Sequence, residues 1–167
     1  MSNPPAAVRI LGLDPGLRLT GWGVIEILGS SLHYVAHGVI KTTNDAALPV
    51  RLVQLYEGLS EVMVQYHPHE AAVEETFVNT NAASSLKLGV ARGVVLLTPG
   101  LMDADVFEYS ANRVKKAVVG VGHADKTQVA TMVMRLLPKA GSVDKDAADA
   151  LAVAICHAHF RTHRMVA

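Results

Sequence analysis

The sequence predicts an α/β fold in which a mixed sheet carries helices on both faces. The first forty residues contain three short apolar runs separated by glycines and serines, a pattern typical of strands joined by turns. From Leu48 onward the apolar residues recur at steps of three and four, which indicates a helix, and strands and helices then alternate. A meander followed by strand-helix-strand units forms such a sheet, because right-handed crossovers can cover both of its faces.

The apolar runs predict five strands, of which the first three form an antiparallel meander and the last two are parallel. The predicted strands are Val8 to Leu13, Trp22 to Leu28, Leu32 to Lys41, Ala71 to Val73 and Asp105 to Tyr109. Because open α/β sheets place their sites at strand ends, the residues that follow these runs are the first candidates for function.

The helical pattern predicts five helices. The first begins at Leu48 and ends at His67-Pro68, and the second is expected to end at Pro99-Gly100. This second helix covers Ala82 to Leu97, and the other predicted helices are Ala111 to Val118, Lys126 to Leu137 and Asp146 to about Phe160. On the second helix, one side carries an apolar stripe that consists of Ala83, Leu86, Val90, Val94 and Leu97.

Composition limits the number of domains and the class of protein. With 167 residues, 50% of them hydrophobic, the chain suits one domain over residues 1–167. A single cysteine excludes an internal disulfide, and the lack of a leader or a long apolar span predicts a soluble, cytoplasmic protein. Lys plus Arg and Asp plus Glu both number 15, but residues 1–80 carry 4 − 8 = −4 and residues 81–167 carry 11 − 7 = +4. A neutral total therefore does not exclude nucleic acid.

Four carboxylates stand at predicted element ends: Asp14 after the first strand, Glu74 after the fourth, and Asp146 and Asp149 in the first turn of the last helix. Residues three apart share one helical face, so the last two are neighbours. Acidic side chains gathered from distant segments repel one another, and such clusters serve to hold divalent cations.

Each of these carboxylates also has an ordinary structural interpretation. Asp-Pro-Gly is a common turn sequence, and aspartates at helix starts often act as caps, as Asp144 or Ser142 could here. Alternation alone does not decide whether Glu74 or Glu75 faces the cluster.

If the four meet, their oxygen ligands select Mg²⁺, with Mn²⁺ able to substitute, over zinc. Two such ions roughly 4 Å apart support in-line hydrolysis of a phosphodiester, which is nuclease chemistry. The histidines of Cys156-His-Ala-His159 diverge on a helix and are interpreted as non-ligating.

A candidate nucleic-acid surface surrounds the junction between the third and fourth helices. Gly120 and Gly122 lie in a turn whose backbone N–H groups can face a phosphate beside a helix start. The basic residues around this turn are Arg113, Lys115, Lys116 and Lys126. Phe77, just after the Glu74 strand, is a candidate for stacking on bases. The alternative is a plain helix-helix turn with solvated lysines and a Phe77 that belongs to the core.

Together these segments resemble the RuvC family of bacterial endonucleases, which resolve Holliday junctions. The matching segments, in family order, are Ile10 to Gly16, Thr20 to Gly23, Ala72 to Val78, Leu86 to Gly93, Val106 to Tyr109, Val114 to Gly122 and Asp146 to Ala152. The resemblance implies an RNase H-like fold and a two-fold homodimer whose two active sites nick opposite strands of a four-way DNA junction. It also implies partnership with the RuvA-RuvB branch-migration complex.

By the same resemblance, Asp14, Glu74, Asp146 and Asp149 correspond to the family's catalytic metal ligands, which selects Glu74 over Glu75. Phe77, Lys115 and Lys126 fall on positions linked to junction binding and activity. The resemblance further implies that the helix over Ala82 to Leu97 forms the dimer contact, and Asp144 is left as a helix cap.

Three alternatives remain at this point. A YqgF-type protein shares the fold and an Asp-x-Gly start but acts on RNA or other substrates. An actin-like ATP-binding module has a similar start but needs two such domains, and this chain holds one. A non-catalytic junction-binding protein would result if the carboxylates failed to converge.

Overall fold

The computed structural model describes residues 6–76 and 80–164, with side chains described as far as residue 161. Its single sheet has five strands: β1 (Val8–Asp14), β2 (Leu19–Leu28), β3 (Ser31–Lys41), β4 (Glu70–Glu74) and β5 (Asp105–Tyr109). The helices are α1 (Leu48–Tyr66), α2 (Ala82–Leu101), α3 (Ala111–Val119), α4 (Lys126–Leu136) and α5 (Lys145–Arg164). A short 3-10 turn, Pro138–Ala140, joins α4 to α5.

The strands lie in the order β3-β2-β1-β4-β5. β1, β2 and β3 form the predicted antiparallel meander, and β4 and β5 run parallel to β1. The predicted mixed sheet is therefore confirmed. Because β2 runs against β1, its start pairs with the end of β1, with Asp14 opposite Gly21. The ends of β1, β3, β4 and β5 and the start of β2 thus share one edge of the sheet.

Each face of the sheet carries its own apolar core. Neighbouring residues on β1 point to opposite faces, so Ile10 packs with α3, α4 and α5, whereas Leu11 packs with α1 and α2. The helix α5 is the most deeply placed, since nearly every side chain from Ala147 to Ala158 is buried. Helices on both faces follow directly from this two-sided apolar pattern.

The helix α5 approaches β1 and β2 so closely that glycines are required beneath it. A Cβ atom on Gly12 would overlap the carbonyl oxygen of Ala150 and lie 2.7 Å from the amide nitrogen of Ala154. A Cβ atom on Gly21 would likewise overlap the carbonyl oxygen of Asp146. Backbone therefore packs directly on backbone, and this contact sets the position of the first turn of α5.

The expected end of the second helix at Pro99-Gly100 is wrong, because α2 continues to Leu101 with Pro99 inside it. The Thr98 hydroxyl donates to the Val94 carbonyl at 2.8 Å, and the Met102 and Ala104 N–H groups both donate to the Pro99 carbonyl. Proline removes one N–H donor, and in the last turn these other bonds keep the helix closed. The remaining predicted element ends differ by a few residues, as when β2 begins at Leu19 and α5 reaches Arg164.

The predicted apolar stripe of α2 lies mostly in solvent. Leu86 is 71% exposed and Leu97 is 57% exposed, and Leu101 extends the stripe at 63%. The buried side of α2 instead consists of Ala91, Val95, Thr98 and Pro99. Within the described part of the chain, no helix is both long and apolar enough to cross a membrane.

The contact between α5 and β1 predicts a large difference between two glycine substitutions. Gly12→Ala is expected to lower the free energy of unfolding by at least about 2 kcal/mol, because the new methyl group overlaps the backbone of α5. Gly100→Ala, at a helical position with open space around it, should change that free energy by less than about 1 kcal/mol. Urea unfolding followed by circular dichroism measures both, and equal midpoints would contradict the proposed contact.

Candidate active site

Three elements bring the four carboxylates to one edge of the sheet. Asp14 ends β1, and Glu74 ends the adjacent parallel strand β4. The first turn of α5 carries Asp146 and Asp149 and packs over the end of the sheet through the backbone contact at Gly21. All four side chains are half-buried.

The protonation behaviour of Asp14 shows that these carboxylates interact. Removal from water raises the pKa of the Asp14 carboxyl from 3.8 to about 7, and repulsion from Glu74, Asp149 and Asp146 adds to the rise. The Lys126 ammonium opposes it. Asp14 is therefore the centre of a cluster of like charges.

Glu74 behaves in the same way as Asp14. Its pKa is raised, first by removal from water and then by Asp149, whereas Lys126 and Lys115 lower it. The next residue, Glu75, is exposed, and its backbone N–H donates to the Tyr109 carbonyl at 2.8 Å. The fold thus brings Glu74, and not Glu75, into the cluster.

Lys126 is the positive partner of the cluster. Its ammonium nitrogen lies 2.9 Å from Oδ2 of Asp149, and this hydrogen bond is the largest cause of its raised pKa. A cavity of about 160 Å³ opens beside the pair. Its polar lining consists of Glu74, Lys115, Lys126 and Asp149, and its apolar lining includes Val114 and Val129.

The donor set fits a hard divalent cation. All four ligand candidates are carboxylates, the ligand type that Mg²⁺ and Mn²⁺ prefer, and among the described residues no histidine or cysteine is one of the groups that shift the pKa of Asp14 or Glu74. Among the described residues, no group of three or more His, Cys, Asp or Glu side chains is already arranged to hold a metal ion. Closing the cluster on a cation therefore requires side-chain rotations.

The basic residues around the α3–α4 turn take different positions. Lys115 lines the cavity, and Lys116 is exposed. The Arg113 guanidinium lies over the Phe160 ring, 4.0 Å from its centroid, so it packs on aromatic side chains and does not line the cavity. Phe77 lies outside the described residues.

The two glycines of this turn also differ. Gly120 ends α3 in the left-handed conformation at φ 91°, and its N–H donates to the Lys116 carbonyl at 2.9 Å. Because that N–H already donates a hydrogen bond within the protein, a role for Gly120 in capping α3 is favoured over contact with a phosphate. Gly122 lies between α3 and the start of α4, where Asp125 and Gln128 form a capping box.

The buried residue His157 belongs to a separate polar network. Its Nδ1 lies 2.7 Å from the Tyr109 hydroxyl and its Nε2 lies 2.8 Å from Oε2 of Glu70. Arg161 donates to both oxygens of the same carboxylate. The network ties α5 to β4 and β5, and its members are too far apart in sequence for local patterns to reveal it.

The raised pKa of Asp14 predicts how pH acts on the metal-stripped protein. A carboxyl whose pKa is higher in the folded than in the unfolded chain lowers the free energy of unfolding as pH rises from about 4 to about 7. Asp14→Asn removes this loss. At pH 8 in EDTA the variant should therefore melt higher than the wild type, by on the order of 5 °C.

The difference in melting temperature should become small near pH 4, where Asp14 is protonated in the folded wild type and roughly half protonated in the unfolded chain. Asp103→Asn, in the exposed turn after α2, is the matched control and should follow the wild type at both pH values. An Asp14→Asn protein that melts below the wild type at pH 8 would contradict the account.

Comparison with known proteins places this arrangement in a family. Residues 10–157 match the family model described as crossover junction endodeoxyribonuclease RuvC. The RuvC of Mesorhizobium japonicum is 57% identical over 93% of this chain and 92% of its own length. The RuvC of Granulibacter bethesdensis is 58% identical over 98% of this chain and 93% of its own length.

Solved structures agree with the sequence matches. Thermus thermophilus RuvC in complex with a Holliday junction substrate superposes with a TM-score of 0.86 at 31% identity, over 94% of this chain and 96% of the other. The yeast mitochondrial Holliday junction resolvase Ydc2 shares the fold, with a TM-score of 0.70 at 12% identity, over 99% of this chain and 85% of its own. The predicted RNase H-like fold is confirmed, and the chain belongs to the RuvC family of crossover junction endodeoxyribonucleases, which are metal-dependent nucleases.

Proposed function

We propose that this protein resolves Holliday junctions in recombination and repair by nicking two strands of a four-way DNA junction symmetrically. The observation that carries the proposal is the set of four carboxylates, desolvated and mutually repelling, at one sheet edge beside Lys126. Such repulsion is tolerated where bound cations neutralise it. The RuvC of T. thermophilus, to which this chain is similar, was solved with a junction substrate.

Asp14, Glu74, Asp146 and Asp149 are proposed as the ligands of two Mg²⁺ ions, for which Mn²⁺ can substitute. When bound, the ions supply the positive charge that stabilises the attacking and leaving oxygens of an in-line displacement at phosphorus. Asp14 lies at the centre of the set and interacts with the other three carboxylates. Lys126 holds Asp149 while the cation is absent and becomes available to a DNA phosphate when Asp149 turns to the ion.

The positions of the lysine side chains support the proposed DNA contacts. Lys115 and Lys126 line the cavity beside Glu74 and Asp149, so a phosphate held there would reach the carboxylates. Lys116 is exposed on the same helix as Lys115 and extends the positive surface. Contacts of DNA with Gly122, Arg113 and Phe77 remain predictions from the sequence.

The exposed apolar stripe of α2 is proposed as the contact of a two-fold homodimer. Leu86, Leu97 and Leu101 are more than half exposed, and a Cβ on Gly89 or Gly93 would meet no atom within 4 Å. A large apolar surface with small residues among it suits a closely packed isologous interface. A dimer supplies two active sites, which paired nicks require.

Three further expectations about the protein remain proposals. The single-domain assignment over residues 1–167 stays a prediction. A RuvA-RuvB branch-migration complex is the proposed partner. Because the similar proteins are bacterial and act on DNA, the cytoplasm is the proposed compartment.

Neutralising one carboxylate should separate catalysis from binding. Asp14→Asn and Asp146→Asn are each expected to abolish nicking of a mobile four-way junction in Mg²⁺ or Mn²⁺, because a cation ligand is lost. Junction binding should persist, since removing negative charge does not weaken phosphate contact. Denaturing gels and electrophoretic mobility shifts measure the two properties, and Asp103→Asn should retain both. Loss of binding with equal severity would instead make the residue structural.

Charge on the α2 stripe should break the dimer. Leu86→Glu and Leu97→Glu each place a carboxylate in the proposed apolar interface and should yield monomers by light scattering after size exclusion. With a cruciform plasmid, paired nicks that linearise it should give way to single nicks. Leu28→Glu, at an exposed apolar position on β2, is the control and should remain dimeric. Unchanged mass in both α2 variants would place the dimer contact elsewhere.

A further inference from the structure

A second basic cleft, distinct from the one beside Lys126, adjoins the carboxylate cluster. This cleft has a volume of about 520 Å³ and lies between the start of β2, the end of β3 and the start of α5. Its charged lining consists of Arg18, Lys41, Asp144, Lys145 and Asp146. Because Asp146 lines this cleft and is also close enough to Asp14 to repel its carboxylate, the cleft adjoins the proposed reaction centre.

The cations of this cleft are available to a ligand. Arg18, Lys41 and Lys145 are all exposed, and across the described residues none of them forms an ion pair. If the charge of Asp146 is neutralised by a bound cation, the remaining lining carries three positive charges and Asp144, which gives 3 − 1 = +2. A net positive, solvent-filled cleft attracts phosphate.

The wall that carries Arg18 and Lys41 is held rigidly in place. Strand pairing sets Leu19 opposite Lys41, and the Thr42 N–H donates to the Arg18 carbonyl at 3.1 Å. Below them, the Thr42 hydroxyl donates to the Leu17 carbonyl at 2.6 Å, and Arg51 donates to both Thr42 Oγ1 and that carbonyl. The backbone is therefore ordered before any ligand arrives, which lowers the entropy lost on binding.

The strand order places the two basic regions on opposite sides of Asp14. Arg18 immediately precedes β2 and Lys41 ends β3, on one side of β1, whereas Glu74 and Lys115 belong to β4 and the helix after β5 on the other. A DNA strand whose scissile phosphate sits on the carboxylates would therefore meet cations in both directions along its backbone.

We propose that the cleft formed by Arg18, Lys41 and Lys145 binds backbone phosphates of the cleaved strand, on the side of the scissile phosphate away from Lys115 and Lys126. This inference rests on the proposed function, because it assigns part of the DNA path across that active site. Its role is to position the strand, so its loss should weaken substrate binding far more than it slows the chemical step.

The test compares two double variants in the Asp14→Asn background, without divalent cations. Arg18→Ala/Lys41→Ala should lower the slope of log affinity for a four-way junction against log salt by about 2, since two phosphate contacts are lost. Arg135→Ala/Lys139→Ala removes two exposed cations that line neither basic cavity and should leave the slope unchanged. The charge-preserving Arg18→Lys/Lys41→Arg should retain the parent slope, which excludes misfolding as the cause.

A second measurement locates the phosphates directly. Junctions carrying one neutral methylphosphonate at successive positions beside the cut site should include a position that weakens binding of the parent but not of Arg18→Ala/Lys41→Ala. Identical responses of the two proteins at every position, or a slope equal to that of the control, would overturn the proposal. Failure of the wild type to nick the unmodified junction would instead refute the resolvase function itself.

Discussion

The backbone contact of α5 with β1 and β2 is the constraint on which the rest of the structure depends. Gly12 and Gly21 leave no side chain between sheet and helix, so the carbonyl oxygens of Ala150 and Asp146 rest directly on the strands. Since Gly21 pairs with Asp14, this contact fixes the first turn of α5 over the end of β1. A larger residue at either glycine would move the helix outward and carry Asp146 and Asp149 away from Asp14.

The same contact has an electrostatic consequence. It forces carboxylates together in a partly dry environment, and the raised pKa values of Asp14 and Glu74 express that cost. Lys126 offsets only part of it through its bond to Asp149, whereas a divalent cation would offset more. Basic residues flank the cluster on both sides of β1, so the fold combines a site for cations with a surface for polyanionic phosphate.

Local sequence patterns were sufficient to predict the strands and helices, but they were insufficient to predict how some of these elements pack against their neighbours. Apolar runs broken by glycine, and apolar steps of three and four, predicted all five strands and the main helices because those periods reflect backbone geometry. The apolar stripe on α2 was recognised from sequence. The pattern alone does not show whether this stripe packs in the core of the same chain or against a second chain. Alternation left Glu74 and Glu75 equivalent, and only the resemblance to the RuvC family selected Glu74. The cleft of Arg18, Lys41 and Lys145 was missed because its cations are isolated in sequence and meet only through the pairing of β2 with β3 and the position of the start of α5.

Anomalous diffraction from crystals of the protein with a four-way junction and Mn²⁺ tests the central claim most directly. Manganese peaks are expected within coordination distance of Asp14, Glu74 and the aspartates of α5, with the Lys126 ammonium no longer bonded to Asp149. A map without manganese at this edge of the sheet, in which the Lys126 bond to Asp149 persists beside bound DNA, would contradict it.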